Sequence, residues 1–303
     1  MGKAERIRRQ TAREKIVAQQ IAARRAEVRR RMLLASGSVL AVIVIVVVLV
    51  VVRGISNNNK SSSAAAAAST AQSQNVTKQI TTVPASTLDS VGKGGASKLI
   101  ATSNQATLTS GGKPEILYVG AEYCPYCAAE RWAMVVALSR FGTFSNLHYI
   151  HSSSSDVYPS TPTLSFYKSS YTSKYIDFQP VEWYSDKAVS GGYSVLQTPN
   201  SAQSALFTKY DAAPYIQAAD KGSFPFLDIG NQYLAIGAQY IPSNLAKLSW
   251  AQVASDIRNP NSTVAKDVDG AANSITAGIC KIAKNAPASV CNSAAVQAGA
   301  GSL

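Results

Sequence analysis

Met32 to Val52 reads MLLASGSVLAVIVIVVVLVVV, 21 residues without a charge. At helical rise such a run spans about 31 Å, against a bilayer hydrocarbon core of roughly 30 Å. Three arginines, Arg29 to Arg31, precede it and Arg53 follows it. A cleavable secretory signal predicts a shorter apolar region of about 7–15 residues with a small-residue cleavage site close behind. This run is longer, and the alanine-rich stretch lies further on. The sequence therefore predicts a retained single transmembrane helix over residues 32–52, with a lipid bilayer as its partner.

Charge sets the expected orientation. The chain carries +12 over 303 residues, and residues 1–31 supply +8 of it, with eleven Lys/Arg against three Asp/Glu. The positive-inside rule places residues 1–31 in the cytoplasm as a basic tail, and everything after residue 53 outside the cell membrane. The tail, KAERIRRQTAREKIVAQQIAARRAEVRRR, is helix-prone. One reading is an arm for nucleic acid or a protein. The preferred one is a topology signal lying on anionic headgroups, with no nucleic-acid partner.

Residues 53–82 are of low complexity (NNNKSSSAAAAASTAQSQNVT), with few large apolar residues, and read as a flexible linker. PASTLDSVG, from Pro84, reads as a short helix. PEILYVG, from Pro114 to Gly120, reads as a buried strand. PYCAAERWAMVVALSRFG follows with helical spacing at Cys127, Trp132, Val135, Val136 and Leu138, ending at Gly142. LHYIHSS, from Leu147 to Ser153, reads as a second strand, completing a βαβ unit. Residues 163–184 read as two strands joined by a Ser/Tyr turn. Residues 200–222 read as one or two helices broken before Pro214. PFLDI and YLAIG flank GNQ and read as a hairpin. SNLAKLSWAQVASDI and residues 263–283 read as closing helices.

Cys124-Pro-Tyr-Cys127 stands at the expected junction of strand and helix. At a helix start, unpaired N–H groups and an effective charge of about +0.5 favour a thiolate. The thiolate is the nucleophile in disulfide exchange, so Cys124 is the candidate catalytic nucleophile. Cys127, one turn on, is placed to resolve the mixed disulfide. Pro125 suits the first helical turn, where its missing N–H costs nothing. All four cysteines follow the apolar run, an even count in what would be an oxidising compartment.

YVGAEYCPYCAAERW after a strand resembles the active-site segment of thioredoxin-fold disulfide oxidoreductases, and CPYC is common in glutaredoxins. More narrowly, GAEYCPYCAAERWAMVVALSRFG with the downstream TPTLSFY resembles the family catalogued as domain of unknown function 929, membrane-anchored thioredoxin-like proteins with no settled activity. The resemblance covers roughly residues 84–295. It implies an α/β, thioredoxin-like fold with an α/β insertion over residues 83–265, and a cis-proline opposite the cysteines. Pro225, with Phe224 before it, is preferred to Pro162, and this pair would bind the substrate backbone. The residues between Cys127 and Pro225 then resemble the helical insertion of periplasmic disulfide oxidases. The chain departs from the pattern at Tyr118, where thioredoxins and several relatives bury a carboxylate. Glu122 and Glu130 are near in sequence, and Glu130 reads as a solvated first-turn residue.

Other readings compete. Half of a zinc site is one of them, but the spacing of Cys280 and Cys291 does not suit it, so no metal is expected. Cys280 and Cys291 read as a structural disulfide in a C-terminal helical segment, 266–303, with electron shuttling to the first pair as the alternative. His148 and His151 read as structural. Tyr123 and Tyr126 read as an apolar rim or plain packing, and Trp132, Trp183 and Trp250 as core or part-buried residues. The functional expectation is thiol–disulfide exchange on exported protein thiols or disulfides, with an extracytoplasmic redox partner and no cofactor. The alternative is a non-catalytic, anchored binding module with structural disulfides.

Overall fold

The computed structural model describes residues 61–303, and the side chains of residues 70–303. The basic tail and the apolar run Met32 to Val52 lie outside the described residues. Among the described residues no helix is long and apolar enough to cross a membrane.

Helix α1 (Ser61–Thr81) covers most of the stretch read as a linker. Its last turns bury Val76 and Ile80 in the core, and Thr77 Oγ1 shares a 2.5 Å hydrogen bond with Tyr149 Oη. Arg258 donates to the carbonyls of Gln79 and Thr82 at 3.0 and 2.7 Å, satisfying the end of this helix with a cation. Those two apolar side chains, four residues apart, are what an otherwise Ala/Ser/Gln-rich segment offers a core.

Helix α2 (Ala85–Val91) follows, then strands β1 (Ile100–Ala101), β2 (Thr109–Ser110) and β3 (Lys113–Ala121). β3 is the central strand, with its last six residues buried. Helix α3 (Pro125–Leu138) leaves from its C-terminal end. Four short strands come next: β4 (Gly142–Ser145), β5 (His148–His151), β6 (Pro162–Ser165) and β7 (Ser170–Ser173). They pair antiparallel as β4–β7 and β5–β6, outside the main sheet. β8 (Asp177–Val189) then returns parallel to β3, and β9 (Gly192–Val195) pairs with β8. Helix α4 (Ser201–Tyr210) precedes the hairpin β10 (Phe226–Ile229) and β11 (Tyr233–Ile236), which is followed by helices α5 (Trp250–Ile257), α6 (Thr263–Ile282), α7 (Ala288–Cys291) and α8 (Ala294–Ala300).

The main sheet runs β1-β11-β10-β3-β8-β9, with β2 extending β3. Among the described residues only β3 and β8 pair in parallel, so this is a mixed α/β architecture on a mixed sheet. Alternation along β3 sorts its side chains to two cores. Ile116 and Tyr118 join the large core with α3 and α6. Leu117 and Val119 face a smaller one with Tyr210, Phe226 and the α4 residues Leu206 and Phe207. Helix α6 is buried along most of its length because α2, α3 and α8 pack around it. Capping boxes set two helix starts, Asn200 with Gln203 and Ser249 with Gln252. Residues 70–303 form one compact unit with no division at residue 265.

Three expectations need correction. Strand 148–151 does not complete the βαβ unit: it pairs antiparallel with β6, and β8 is the parallel partner of β3. The ends of β5, His148 and His151, are exposed, whereas β8 buries Phe178, Val181 and Glu182. A strand flanked on both sides in a sheet needs such burial, and residues 148–151 do not offer it. Residues 163–184 are not a hairpin, since β6 and β7 pair elsewhere. The stretch between α3 and β10 is mostly strands, with one α-helix, rather than a helical insertion. Its aromatic residues Phe144, Phe166, Tyr171 and Phe178 cluster with ring centroids 4.8–6.0 Å apart, and β-propensity of this kind outweighed the resemblance.

Candidate functional site

β3 ends at Ala121, and three residues later Cys124 caps α3. Its backbone is extended, at φ −77° and ψ 122°, and its sulfur accepts the Cys127 N–H at 3.2 Å. Pro125 occupies the first turn. The thiol thus takes the part that Ser or Asp usually plays at a helix start.

The two sulfurs differ in environment. Cys124 is 6% exposed and Cys127 is 0% exposed. A side-chain hydrogen bond from Cys127 holds the Cys124 thiol below its ordinary value, helped by the Cys127 N–H and the Arg131 charge and opposed by burial. Burial pushes the Cys127 thiol well up, Cys124 adds to this, and Arg131 pulls the other way. Both are free thiols. The candidate nucleophile does not face solvent: Cys124 lies in a small apolar cluster with Ala121 and Cys127, against which Tyr123, Tyr184 and Phe224 pack. Tyr123 in turn stacks on Tyr193 with ring centroids 4.0 Å apart. Tyr126, between the cysteines, is 38% exposed and meets Tyr158 edge-on.

The peptide bond between Phe224 and Pro225 is cis, and so are those before Pro214 and Pro287, whereas Pro162 simply opens β6. The Phe224 carbonyl oxygen lies 3.8 Å from the Cys124 sulfur. Beside them is an open groove of about 530 Å³, whose lining includes Tyr126, Tyr215, Asp220, Phe224 and Ile236. The structure therefore brings Cys124, Cys127, Phe224 and Pro225 to one place, at the C-terminal end of β3.

Beneath the cysteines lies a buried ion pair that the sequence reading missed. Arg131 donates from Nε and Nη2 to Glu182 at 2.8 and 2.7 Å, and from Nη2 to the Ala121 carbonyl at 2.7 Å. Both side chains are 0% exposed. Burial works against the Arg131 charge, but Glu182 outweighs it, and its titration is pushed well up. The signal for Arg131 was its position one turn after Cys127; Glu182, 51 residues on in β8, carried none. Glu122 accepts from Ser165 Oγ at 2.6 Å, and burial raises its carboxyl despite that bond. Glu130 is not solvated as expected. It is fully buried, accepts the Gln239 N–H at 3.0 Å, and is raised to about 7 by burial.

Cys280 and Cys291 form a disulfide, with Cα atoms 5.6 Å apart, tying α6 to α7 inside the large core rather than the cysteine cluster at the end of β3. His148 and His151 are exposed, and the His151 ring lies 4.4 Å from that of Trp250. Trp132 is buried and donates to the Pro162 carbonyl at 2.9 Å. Among the described residues no group of three or more His, Cys, Asp or Glu side chains is arranged to hold a metal ion.

A family model described as Domain of unknown function (DUF929) matches residues 98–281, more than half of the chain. No curated protein matches, and no solved structure matches.

Proposed function

The chain belongs to the DUF929 family, and from the chemistry of its own residues we propose that it carries out thiol–disulfide exchange on exported or cell-surface proteins. The observation that carries this reading is the setting of Cys124: a helix N-cap sulfur that accepts the Cys127 N–H at 3.2 Å and lies 3.8 Å from the Phe224 carbonyl, before the cis-proline.

In this reading the Cys124 thiolate attacks one sulfur of a partner disulfide. The partner's S–S bond breaks, a mixed disulfide forms, and the partner's other sulfur leaves as a thiolate. Cys127 then gives up its proton and attacks the Cys124 sulfur. The Cys124–Cys127 bond forms, and the partner leaves as a dithiol, reduced by two electrons while the pair is oxidised by two. The same steps reversed oxidise a substrate dithiol. Phe224 and Pro225 and the adjoining groove would hold the substrate chain.

A thioredoxin-like fold is part of the proposal. Its supports are the parallel unit of β3, α3 and β8, the β10–β11 hairpin antiparallel to β3, and α6 closing the same face. The single-pass anchor over residues 32–52, with the folded unit outside the cell, rests on hydropathy and charge.

The test is exchange with a disulfide peptide. Cys124→Ala should abolish it, and unchanged exchange would rule the enzymatic reading out. The 6% exposure of Cys124 favours a second reading, a binding module in which the pair is a fixed disulfide. Alkylation after mild reduction separates the two: a catalytic pair reacts, and a fixed disulfide resists reduction.

A further inference from the structure

Two buried hydrogen-bond donors whose groups feel the charge of Cys127 have no hydrogen-bond partner: the Tyr118 hydroxyl and Arg131 Nη1. Buried polar groups are nearly always satisfied, so two orphans at one place call for a reason.

Their placement is specific. Arg131 follows Cys127 by four residues on α3, so both side chains occupy one helix face. Its Nη2 is already committed to Glu182 and the Ala121 carbonyl, which leaves Nη1 free. Tyr118 comes from β3, with its ring 5.9 Å from the Arg131 guanidinium carbon. A side chain at Gly120 would collide with the Tyr118 hydroxyl, so that hydroxyl lies folded over Gly120, towards the end of β3 where the cysteines stand. Charge on Cys127 acts on both groups, and on Tyr118 the charge of Cys124 acts as well. Cys127 itself is wholly enclosed, so no solvent supports its charge. The other charged groups facing this place are Glu122 and Glu182, both close to Arg131.

We infer that the Tyr118 hydroxyl and Arg131 Nη1 are positioning donors for the Cys127 sulfur, unpartnered while it is a neutral thiol and engaged when it becomes a thiolate. The inference rests on the thiol–disulfide reading. When a substrate thiolate attacks Cys124 of the oxidised pair, the Cys124–Cys127 bond breaks and its electron pair leaves with Cys127. When Cys127 resolves a mixed disulfide, it must carry the same charge before attacking. In both directions a buried sulfur passes through an anionic state, and these two donors replace the water it lacks. The pair therefore acts on passage between oxidised and reduced forms, with little effect on which form is favoured once Cys127 is reprotonated.

The test is Tyr118→Phe, which keeps the edge-on ring contact with Phe166 and removes only an unpartnered hydroxyl. Opening of the oxidised pair by dithiothreitol is timed by acid quench and alkylation, closing by oxidised glutathione likewise, and the equilibrium with glutathione is measured separately. Both rates should fall about tenfold, the value of one hydrogen bond to a charged group, while the equilibrium stays within about twofold. An opening rate within about twofold of wild type would overturn the inference, whether or not the equilibrium moves. Cys124→Ala run beside it keeps the two claims apart. Loss of exchange there with an unaffected Tyr118→Phe sinks only this inference, and retained exchange there sinks the parent reading.

Discussion

Arg131 and Glu182 are joined by two short hydrogen bonds, at 2.8 and 2.7 Å, with neither side chain exposed to solvent. One side chain comes from the helix that begins at Cys124 and the other from β8, the parallel neighbour of β3. Glu182 Oε1 also accepts the Phe166 N–H at 3.1 Å, so the pair fastens the strand-rich stretch to the cysteine helix. Removing one partner of a buried pair leaves an uncompensated charge, at a cost of about 3–5 kcal/mol. Arg131→Met should lower stability by that amount in urea unfolding. Arg131→Met with Glu182→Met should recover most of it. If the single variant unfolds like wild type, the pair does not hold the helix in place.

Gly120 and Tyr118 are two residues apart on β3, and a methyl group at Gly120 would occupy the space of the Tyr118 hydroxyl and of the ring carbon Cζ that bears it. Gly120→Ala should cost about 1–3 kcal/mol, the usual range for overpacking a core. In Gly120→Ala with Tyr118→Phe the oxygen is gone but the ring carbon Cζ still stands in the space of the new methyl group, so only part of the loss should be regained. A double-mutant cycle in thermal unfolding reads this coupling. Additive effects would mean the hydroxyl takes no part in the collision at Gly120.

Burial raises Glu130 to about 7, with the Gln239 N–H opposing it. The unfolded chain loses this proton near the ordinary value of 4.5. Between those two pH values the folded state therefore holds a proton that the unfolded state lacks, and stability falls as pH rises, by up to about 1.4 kcal/mol per unit. The contribution is fully present below the unfolded value and is lost through the folded one. Asp228, at about 7, and Asp269, at about 8, are both raised by burial and act in the same direction. The folded unit should be more stable at pH 5 than at pH 8, and Glu130→Gln should reduce the slope by about one proton. A slope untouched by Glu130→Gln would place the titration elsewhere.

What the sequence reveals here follows contact range. Pro125 after Cys124 and the GNQ turn between two apolar runs act on neighbours within a few positions, and both elements stand where their residues suggest. Glu130 reads as solvated because nothing nearby announces Gln239, 109 residues away, as its partner. The parallel neighbour of β3 was misplaced for a similar reason. HYIH and DFQPVEWY are both strand-prone, and only burial on both faces of the finished sheet separates them. Val76 and Ile80 were too sparse within an Ala/Ser/Gln run to announce a helix docked on the core.

The disulfide between Cys280 and Cys291 closes a loop of 11 residues. In the chain-entropy account so short a loop contributes about 2–3 kcal/mol. Replacing both cysteines with alanine should lower thermal stability accordingly while leaving exchange at Cys124 intact. Loss of exchange in the folded double variant would instead assign this pair a part in electron transfer.

Cys124 is only 6% exposed, and the aromatic side chains of Tyr123, Tyr184 and Phe224 pack against its cluster. A partner disulfide must approach that sulfur in line, so the cover has to shift before any attack. Tyr184 is the member to remove: it lies on β8, outside the cysteine motif, and stacks on Trp183 with ring centroids 5.6 Å apart. Tyr184→Ala leaves the N-cap bond from Cys127 to Cys124 and the buried Arg131 in place, so the readiness of Cys124 to ionise should hold while access improves. Iodoacetamide should then modify Cys124 several-fold faster at every pH, with the midpoint of the pH–rate curve unmoved. A shifted midpoint at unchanged maximal rate would mean that Tyr184 acts on the charge of the sulfur and not on the path to it.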